Sequence, residues 1–502
     1  MMTQEAMKKV LQAGVMLSSE RDMNHLLDVV LASVMELANC DAGTLYLLDG
    51  DALRFKIMHT NSLGTHSGGD GRDPDLPPVP LRRENVCAFS FLEGRTIRVE
   101  DVHTSTEYDF SGPIRYDAIT GYHTQSMLVV PMRNREGEKL GVIQLINALD
   151  DEGSIRSFPE DMILALESVT SQAAVTIQNV RYMREIRELI HSFVRVMSAA
   201  VDERSPYNAN HSRRMAEYCG VFLDYLNRCA EDAGEEPPFS QAHKEELVMS
   251  VWLHDIGKVT TPLEVMNKPE RLSELQKSAI RHRMEGIRLR GKIARLEGRL
   301  TQEELVRLEA ETRQTEEAIW KTSTAGFLPD ERLNWLGEVR ARTYVDDEGT
   351  TRPWLEDEEY AMLTIRKGTL SEEERAIMES HVSVTSKLLS QIKFSRDLSH
   401  VPQWAGAHHE LLNGSGYPRH IQGEEIPTEV RIITILDIFD ALVADDRPYK
   451  PGMPVEKALS ILDSMANREG KLDPTLTRQF TESRCWEPET ARRVCSEGKP
   501  IR

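Results

Sequence analysis

One uninterrupted segment, from Pro159 to about Val201, most constrains how this chain can fold. After its first residue the segment contains neither proline nor glycine, and apolar residues recur in it at three- and four-residue steps. This spacing predicts one continuous amphipathic helix. The apolar positions are Ile177, Val180, Met183, Ile186, Ile190, Phe193 and Met197.

The apolar stripe of this helix needs a partner to cover it. From Met183 onward the steps alternate between three and four residues, and charged residues such as Arg184 and Glu188 occupy the other faces. This pattern suits a short parallel coiled coil between two subunits. The alternative is an amphipathic helix that packs against its own chain. We expect the homodimer, and the sequence leaves the alternative open.

The chain before this helix has the pattern of a mixed α and β domain. Residues 5–38 carry apolar positions at helical spacing, and segments rich in β-branched and aromatic residues follow. The predicted strands are Gly43–Asp49, Leu53–His59, Thr96–Asp101, Gln125–Met132 and Lys139–Ala148, with a hairpin turn at Arg133–Glu138. We therefore expect an antiparallel sheet flanked by helices.

The order of these segments resembles a GAF domain over roughly residues 5–180, because VVPM is paired with GVIQLIN and followed by FPED and a long helix. The resemblance implies a sensor for an unknown small ligand in residues 1–180, with residues 181–204 as a signalling helix. The spacing of Asn147, Phe158 and Asp161 is similar to that in GAF domains that bind cyclic nucleotides. The same residues also suit a turn, a core anchor and a helix cap.

The chain after Val201 is almost entirely helical in pattern, apart from loops near Asn413–Gly423. We expect a second domain at 205–470, interrupted by an insert at about 271–360 and followed by a helical tail at 471–502. The insert carries charged helical segments, including a capping box at Thr301 and Glu304, and turn signals at Tyr344–Trp354. It lacks concentrated chemistry, so we expect it to be peripheral.

Charge and composition limit the partners of the chain. It carries 61 basic and 81 acidic residues, for a formal net charge of -20, so as a whole it repels a nucleic-acid backbone. A small anion can still bind where a metal ion and a few cations reverse the local field. No apolar stretch reaches the ~20 residues of a membrane helix, the first residues lack a signal-peptide core, and the six cysteines are scattered. We therefore expect a cytoplasmic protein with free thiols and no membrane insertion.

The first chemical signal is the segment HDIGK, His254 to Lys258, which follows an apolar run. The carboxylate of Asp255 has two oxygens and can bridge two cations, whereas the imidazole of His254 supplies one nitrogen. On a continuing helix Lys258 would share the face of His254 and could hold a phosphate. An isolated histidine and aspartate pair is more often a structural hydrogen bond.

Further histidines and an aspartate favour a metal site over a structural hydrogen bond. Each histidine lies in a predominantly helical setting, where consecutive side chains diverge by about 100°. The adjacent pair His408 and His409 can therefore face different metals. The additional candidates are His211, His381, His408, His409 and Asp437.

These segments, in this order, resemble the HD-GYP branch of the HD superfamily of metal-dependent phosphohydrolases. The motifs are NxNHSRR, HDIGK, ESH, HHExxNGSGYP and LDIFDALxxDDRPYK, spread over residues 205–455. The resemblance implies an all-α HD domain, joined to the α+β GAF-like domain by the long helix. It further implies hydrolysis of the second messenger cyclic di-GMP to linear pGpG, and in some members on to GMP.

Site residues follow from the resemblance. The implied metal ligands are His211, His254, Asp255, His381, His408, His409 and Asp437, and the implied substrate-binding residues are Lys258, Gly416, Tyr417, Pro418, Arg447 and Lys450. Asp255 and Lys258 are the expected catalytic residues. Two divalent transition-metal ions, iron or manganese, are the expected cofactors. A third ion is less favoured, because Tyr207 stands where members with three ions have a glutamate.

Two departures and two rival functions remain open. Asn413 replaces an aspartate usual in the family, and the insert lengthens the separation of His254 from His381. His282 superficially resembles the third histidine ligand, but we expect it to be structural. One rival is a degenerate module that binds cyclic di-GMP or a diguanylate cyclase domain without hydrolysis. The other is an enzyme for a mixed cyclic dinucleotide.

Overall fold

The computed structural model describes residues 4–20, 22–69, 71–134, 136–204, 210–444 and 452–487. The chain divides into two compact units, residues 1–190 and 191–502. The elements of the first unit, with the long helix that leaves it, are α1 Gln4–Ser19, α2 Met23–Ala38, β1 Cys40–Asp49, β2 Ala52–Thr60, β3 Thr65–Gly68, β4 Val79–Pro80, α3 Val86–Glu93, β5 Ile97–Val99, α4 Ser111–Thr120, β6 Met127–Arg133, β7 Lys139–Leu149, β8 Ile155–Arg156 and α5 Glu160–Asp202.

The first unit is built on an antiparallel sheet. Its strands follow the order β3-β2-β1-β7-β6-β5, with β4 beside β2 and β8 beside β7. All five predicted strands are present, and β6 and β7 form the predicted hairpin. Of these five, Thr96–Asp101 is shortened to three residues in β5. The predicted α+β fold of the first unit is therefore confirmed.

Both faces of this sheet are covered, which explains its apolar strands. Successive side chains of a strand point to opposite faces. Leu45 thus enters the core that includes α2 and α5, whereas Tyr46 enters a second core with Phe91 and Val129. Burial of both faces accounts for continuous apolar runs in β6 and β7, where a half-exposed strand would alternate.

The long helix is present as α5, a single helix of 43 residues. Glu160 and Asp161 lie in its first turn, where negative charge is favourable. Ile177 is buried in the core of the first unit, and Val194 and Val201 are buried in a core of the second. The remaining predicted stripe positions from Met183 to Met197 are exposed: Met183, Ile186, Ile190, Phe193 and Met197.

The second unit is mainly helical, as predicted. Its further elements are α6 His211–Asp232, α7 Gln241–Leu253, α8 Leu263–Met266, α9 Glu274–Leu296, α10 Gln302–Ser323, α11 Asp330–Ala341, β9 Thr343–Val345, β10 Thr351–Pro353, α12 Asp357–Leu363, α13 Glu372–Leu389, α14 Val401–Ala405, α15 Thr428–Val443, α16 Val455–Asn467 and α17 Pro474–Ser483. Phe222, Phe439 and Phe480 meet in its largest core. Since Phe480 lies in α17, the described part of the predicted tail contributes to this core.

The insert forms a core of its own. Ile280, Met284 and Ile319 pack there with Trp354. The predicted capping box at Thr301 begins α10. The segment predicted only as a turn at Tyr344–Trp354 instead contains the antiparallel pair β9 and β10. That hairpin escaped prediction because its strands have only three residues each.

Candidate metal centre

Seven side chains predicted as metal ligands lie together in the second unit. The start of α6 supplies the first, the residues after α7 supply two, and α13, the turn after α14 and α15 supply the others. In chain order they are His211, His254, Asp255, His381, His408, His409 and Asp437. Six of these residues form two groups of three: His211 with His254 and Asp255, and His381 with His408 and His409. In each group, one nitrogen or oxygen atom from each residue lies within 4.8 Å of the other two.

The two carboxylate oxygens of Asp255 face different imidazole groups. Oδ2 lies 3.3 Å from Nε2 of His254 and 3.9 Å from Nε2 of His211. Oδ1 lies 3.3 Å from Nε2 of His381 and 3.8 Å from Nε2 of His408. Because each oxygen offers its own lone pairs, Asp255 has the geometry of a bridge between two cation positions.

Asp437 spans the same two groups from the other side. Its Oδ1 lies 3.3 Å from Nε2 of His211, and its Oδ2 lies 3.6 Å from Nδ1 of His409. Burial opposes ionisation of this carboxyl, but its hydrogen bond to His211 and the neighbouring imidazoles hold its pKa well below the usual range. Asp437 is therefore an anion, the form in which a carboxyl group binds a cation.

Three of the imidazoles are oriented by the carbonyl oxygen three residues before them. Nδ1 of His254 lies 2.7 Å from the oxygen of Val251. The corresponding distances are 2.6 Å for His381 and 2.7 Å for His408. A carbonyl only accepts, so Nδ1 carries the proton and the lone pair of Nε2 faces the other ligands.

The unpaired atoms of the site show that a metal ion fits it. Among the described residues, Nε2 of His381, Nε2 of His408 and Oδ1 of Asp255 are buried without a hydrogen-bond partner. Burial lowers the pKa of His409 to about 4, and it lowers that of His408 well below its ordinary value. These imidazoles are neutral, the form that binds a metal. Buried lone pairs without donors are costly unless a cation accepts them.

The sequence interpretation missed Asp440, which orients His211. Its Oδ2 lies 2.7 Å from Nδ1 of His211, and its Oδ1 accepts from Nε of Arg214 at 2.8 Å. Burial alone would lower the pKa of His211, but the hydrogen bonds to Asp437 and Asp440 outweigh it and raise the pKa to about 10. The available signal was the three-residue spacing of the two aspartates, which places them on one face of α15.

Lys258 does not lie on a continuation of α7, so the condition under which it would share the helical face of His254 is not met. The helix ends at Leu253, and Ile256–Thr260 forms a 3-10 turn. That turn brings Nζ of Lys258 to 2.5 Å from Oδ2 of Asp255. Burial opposes its charge, but Asp255 outweighs burial and raises the pKa of Lys258. The lysine is thus a cation beside the bridging carboxylate.

The loop at Gly416, Tyr417 and Pro418 lies against His409. The ring of Tyr417 is 4.8 Å from that of His409, and its backbone nitrogen donates to the carbonyl of His409 at 3.2 Å. The peptide bond between Tyr417 and Pro418 is cis. A side chain at Gly416 would place Cβ 2.4 Å from the oxygen of His409, so only glycine fits. The loop therefore borders the site.

Two side chains hold this loop in shape. Glu410 is buried and accepts from the backbone nitrogen of Arg419 at 2.7 Å and from that of Ile421 at 3.2 Å. Oδ1 of Asn413 accepts from the backbone nitrogen and the hydroxyl of Ser415, at 3.0 and 2.7 Å. Asn413 thus supports the loop without being a ligand.

Three of the residues discussed from sequence lie outside the described residues: Arg447, Lys450 and Tyr207. His282 is described, and it is exposed on α9. It belongs to neither candidate metal group of the second unit.

A third group, His103, Asp117 and His123, lies in the first unit. Both histidines are exposed, and both carboxylate oxygens of Asp117 already accept hydrogen bonds from Thr124 at 2.8 Å. These bonds give Asp117 a structural role at the end of α4. We do not assign a metal site to this group.

The residues that suggested a nucleotide-binding GAF domain have structural roles. Asn147 adopts a φ of 57° and donates to the carbonyl of His123 at 2.7 Å. Phe158 is a core residue, and Asp161 lies in the first turn of α5. Phe158 thus is the expected core anchor, whereas Asn147 lies within β7 instead of a turn and Asp161 lies inside α5 instead of at its cap.

Fold and site together define an α+β domain followed by a helical domain with a histidine and aspartate centre. Residues 22–177 match the GAF domain family, and residues 358–476 match the HD domain family. The chain therefore contains a GAF domain followed by an HD domain. The HD match includes His381, His408, His409 and Asp437, whereas His211, His254 and Asp255 precede it.

Relatives with named activities match a short part of this chain. A 3'3'-cGAMP-specific phosphodiesterase 3 from Vibrio cholerae is 42% identical over 109 residues, which is 22% of this chain and 22% of that protein. The cyclic di-GMP phosphodiesterase response regulator RpfG from Xanthomonas campestris is 38% identical over 104 residues, 21% of this chain and 27% of that protein. The chain thus spans about a quarter of the length of these relatives.

Among solved structures, the GAF domain of an Acinetobacter phosphoenolpyruvate-protein phosphotransferase is 15% identical, with a TM-score of 0.28, over 37% of this chain and 99% of that one. Because the TM-score is below 0.5, the GAF assignment rests on the family match. In the part of the chain that the structure describes, no helix combines the length and apolarity needed to cross a membrane.

Proposed function

We propose that this chain is a metal-dependent phosphodiesterase that hydrolyses cyclic di-GMP to linear pGpG under the control of its GAF domain. One observation carries the proposal: the two oxygens of Asp255 face two separate imidazole groups. A phosphodiester carries one negative charge, and a pair of adjacent cations is suited to bind and activate it. The names of the relatives support the substrate class.

Two divalent ions are the proposed cofactors. His211, His254 and Asp437 would hold one ion, His381, His408 and His409 the other, and Asp255 would be shared. Imidazole-rich sites favour transition metals over magnesium, so we propose iron or manganese. Such ions supply Lewis acidity, which lowers the pKa of water and neutralises charge on a phosphate.

The chain's own residues bind and orient the substrate. Lys258 would stabilise negative charge on the scissile phosphate, a role supported by its position as a cation beside Asp255. Tyr417 borders the site beside His409 and offers an aromatic face to a base. Arg447 and Lys450 are proposed to bind the second phosphate of the cyclic substrate.

The reaction consumes one water for each bond cleaved. The water oxygen bonds to phosphorus, the bond from phosphorus to the 3′ oxygen breaks, and that oxygen leaves with a proton. The product keeps a 5′ phosphate, which makes it pGpG. A second cleavage of the same kind would give GMP.

The test is product analysis with purified protein reconstituted with manganese or with iron. Cyclic di-GMP, 3'3'-cGAMP and pGpG are incubated separately and the products separated by chromatography, with the Asp255→Ala variant as control. We expect pGpG from cyclic di-GMP with the wild type and none with the variant. If the protein cleaves 3'3'-cGAMP and leaves cyclic di-GMP intact, 3'3'-cGAMP would be the substrate, in agreement with the name of the Vibrio relative. Tight binding of cyclic di-GMP without any cleavage would make the chain a receptor.

A further inference from the structure

The C-terminal end of α5 contacts the start of α6 within the second unit. Asp202, the last residue of α5, is buried with 5% of its surface exposed. Its Oδ2 accepts from the backbone nitrogen of Ser212 at 3.2 Å, and its Oδ1 accepts from the Ser212 hydroxyl at 3.1 Å. Because Ser212 follows His211 directly, these bonds fix the backbone that presents the His211 imidazole.

Two residues further on, Arg204 contacts the turn that follows Asp255. Its Nη1 donates to the carbonyl oxygen of Lys258 at 2.8 Å and also to that of Val259. Its Nη2 donates to the carbonyl oxygen of Thr261 at 3.2 Å. A planar guanidinium can hold several acceptors at once, so Arg204 fixes the end of this turn.

Apolar packing joins the same elements. Val194 and Val201 of α5 are buried in one core with Leu253 and Ile256, which flank the His254 and Asp255 pair. A displacement of this part of α5 would therefore be transmitted to the site by packing as well as by hydrogen bonds. Well-packed interiors move as units and do not absorb such shifts locally.

We propose that Asp202 and Arg204 are positioning residues that make the reaction rate depend on the placement of α5. Asp202 acts through Ser212 on His211, and Arg204 acts through the Ile256–Thr260 turn on Asp255 and Lys258. The two contacts therefore set the separation of His211 from Asp255, 3.9 Å between Nε2 and Oδ2. This inference rests on the proposed function and assigns it a route of control.

The experiment uses the full chain and separates positioning from simple folding support. Asp202→Ala and Arg204→Ala remove the contacts, whereas Asp202→Asn keeps an acceptor for the Ser212 nitrogen and a partner for its hydroxyl. Arg204→Lys keeps the charge but cannot reach all three carbonyls. Arg195→Ala and Glu203→Ala are matched controls, since both residues are exposed on the same segment.

The readouts are manganese affinity, kcat and KM with cyclic di-GMP, and Tm. Loss of a partner that orients a metal ligand costs roughly 10- to 100-fold in metal affinity or activity. We expect a loss of that size in metal affinity and in kcat for the two alanine variants, with KM and Tm little changed. Asp202→Asn should restore most of the loss, Arg204→Lys part of it, and the control variants should match the wild type.

Unchanged metal affinity and kcat in Arg204→Ala would overturn the proposal. The proposal would also fail if metal affinity and kcat fall in proportion to Tm in the alanine and the conservative variants alike, since that result indicates a structural role. If the wild type binds manganese but leaves cyclic di-GMP intact, the proposed function fails. The manganese affinities of the variants would still decide whether Asp202 and Arg204 position the site.

Discussion

The hydroxyl of Thr385 donates a hydrogen bond of 2.9 Å to the carbonyl oxygen of His254, across 131 positions of sequence. The same hydroxyl accepts from the backbone nitrogen of Gly257 at 3.0 Å. Because α13 also carries His381, these bonds fix one imidazole group relative to the other. The separation between the two groups is thus set by direct contact between α13 and the 3-10 turn.

Gly257→Ala should destabilise the protein, because the new Cβ would lie 2.0 Å from the carbonyl oxygen of His381. Forcing extra volume into a packed contact costs about 1–3 kcal/mol, and here it also pushes the two groups apart. Denaturant unfolding and metal content measure the two effects. Gly337→Ala is the control, since its Cβ would meet nothing nearer than 3.8 Å. Equal stability of both variants would contradict the packing argument.

Asp255→Ala should abolish bound metal and turnover, since it removes the carboxylate shared by both groups. The loss of metal affinity should exceed the roughly 10- to 100-fold loss expected when a residue that only hydrogen-bonds to a metal ligand is replaced. Elemental analysis and product analysis measure it. Full metal occupancy in the variant would refute the assignment of Asp255.

His282→Ala should leave metal content and turnover unchanged, because His282 is exposed on α9 and the insert has its own core. The matched variant is His381→Ala, which removes a buried imidazole beside Asp255 and should lose metal. Elemental analysis of the two proteins side by side tests the boundary of the insert. Loss of metal from His282→Ala would show that the boundary is wrong.

Metal binding at about pH 8 should release a proton from His211, whose pKa in the metal-free protein is raised to about 10. The imidazole is charged below that pKa, whereas a metal requires the neutral form. Affinity should therefore rise with pH and level off as the pH passes the raised pKa. Calorimetric titrations with manganese in two buffers of different ionisation enthalpy count the protons.

Asp440→Asn is the control for this measurement, since it removes one of the three carboxylates, Asp437, Asp440 and Asp255, that raise the pKa of His211. The variant should release a smaller fraction of a proton at the same pH. A wild type that binds manganese without proton release would contradict the assignment of His211 as a ligand.

Ile190→Glu combined with Met197→Glu should dissociate a parallel homodimer. Both residues lie on the exposed apolar stripe of α5, with 45% and 39% of their surfaces accessible. In a coiled coil the new charges would be buried against their own copies, which costs several kcal/mol of association. Light scattering and ligand control of turnover are the measurements.

Arg184→Ala combined with Arg195→Ala is the control for the dimer, because it changes the charge by the same amount off the stripe. The variant with these two substitutions should remain dimeric. A wild-type monomer at micromolar concentration, or a dimeric glutamate variant with unchanged regulation, would contradict the expected parallel homodimer.

The sequence by itself determined the main helices and strands of both units and indicated the candidate ligands. The long helix followed from the absence of proline and glycine after Pro159, and the sheet of the first unit followed from runs of β-branched and aromatic residues. Helical period and strand composition are local properties, so they are readable without the fold. The candidate ligands followed from the motifs and from the family resemblance they carry, because imidazoles and carboxylates bind metals in any fold.

Tertiary structure decided how those residues meet. No local pattern shows that the two oxygens of Asp255 face different imidazoles, because His254 follows α7 whereas His381 lies in α13, more than a hundred residues later. Asp440 and Thr385 escaped notice since their partners lie far away in the chain. The contact of Lys258 with Asp255 depends on the 3-10 turn at Ile256–Thr260, whose form the local sequence did not reveal. Positions within a site depend on packing between distant segments, which the local sequence does not encode.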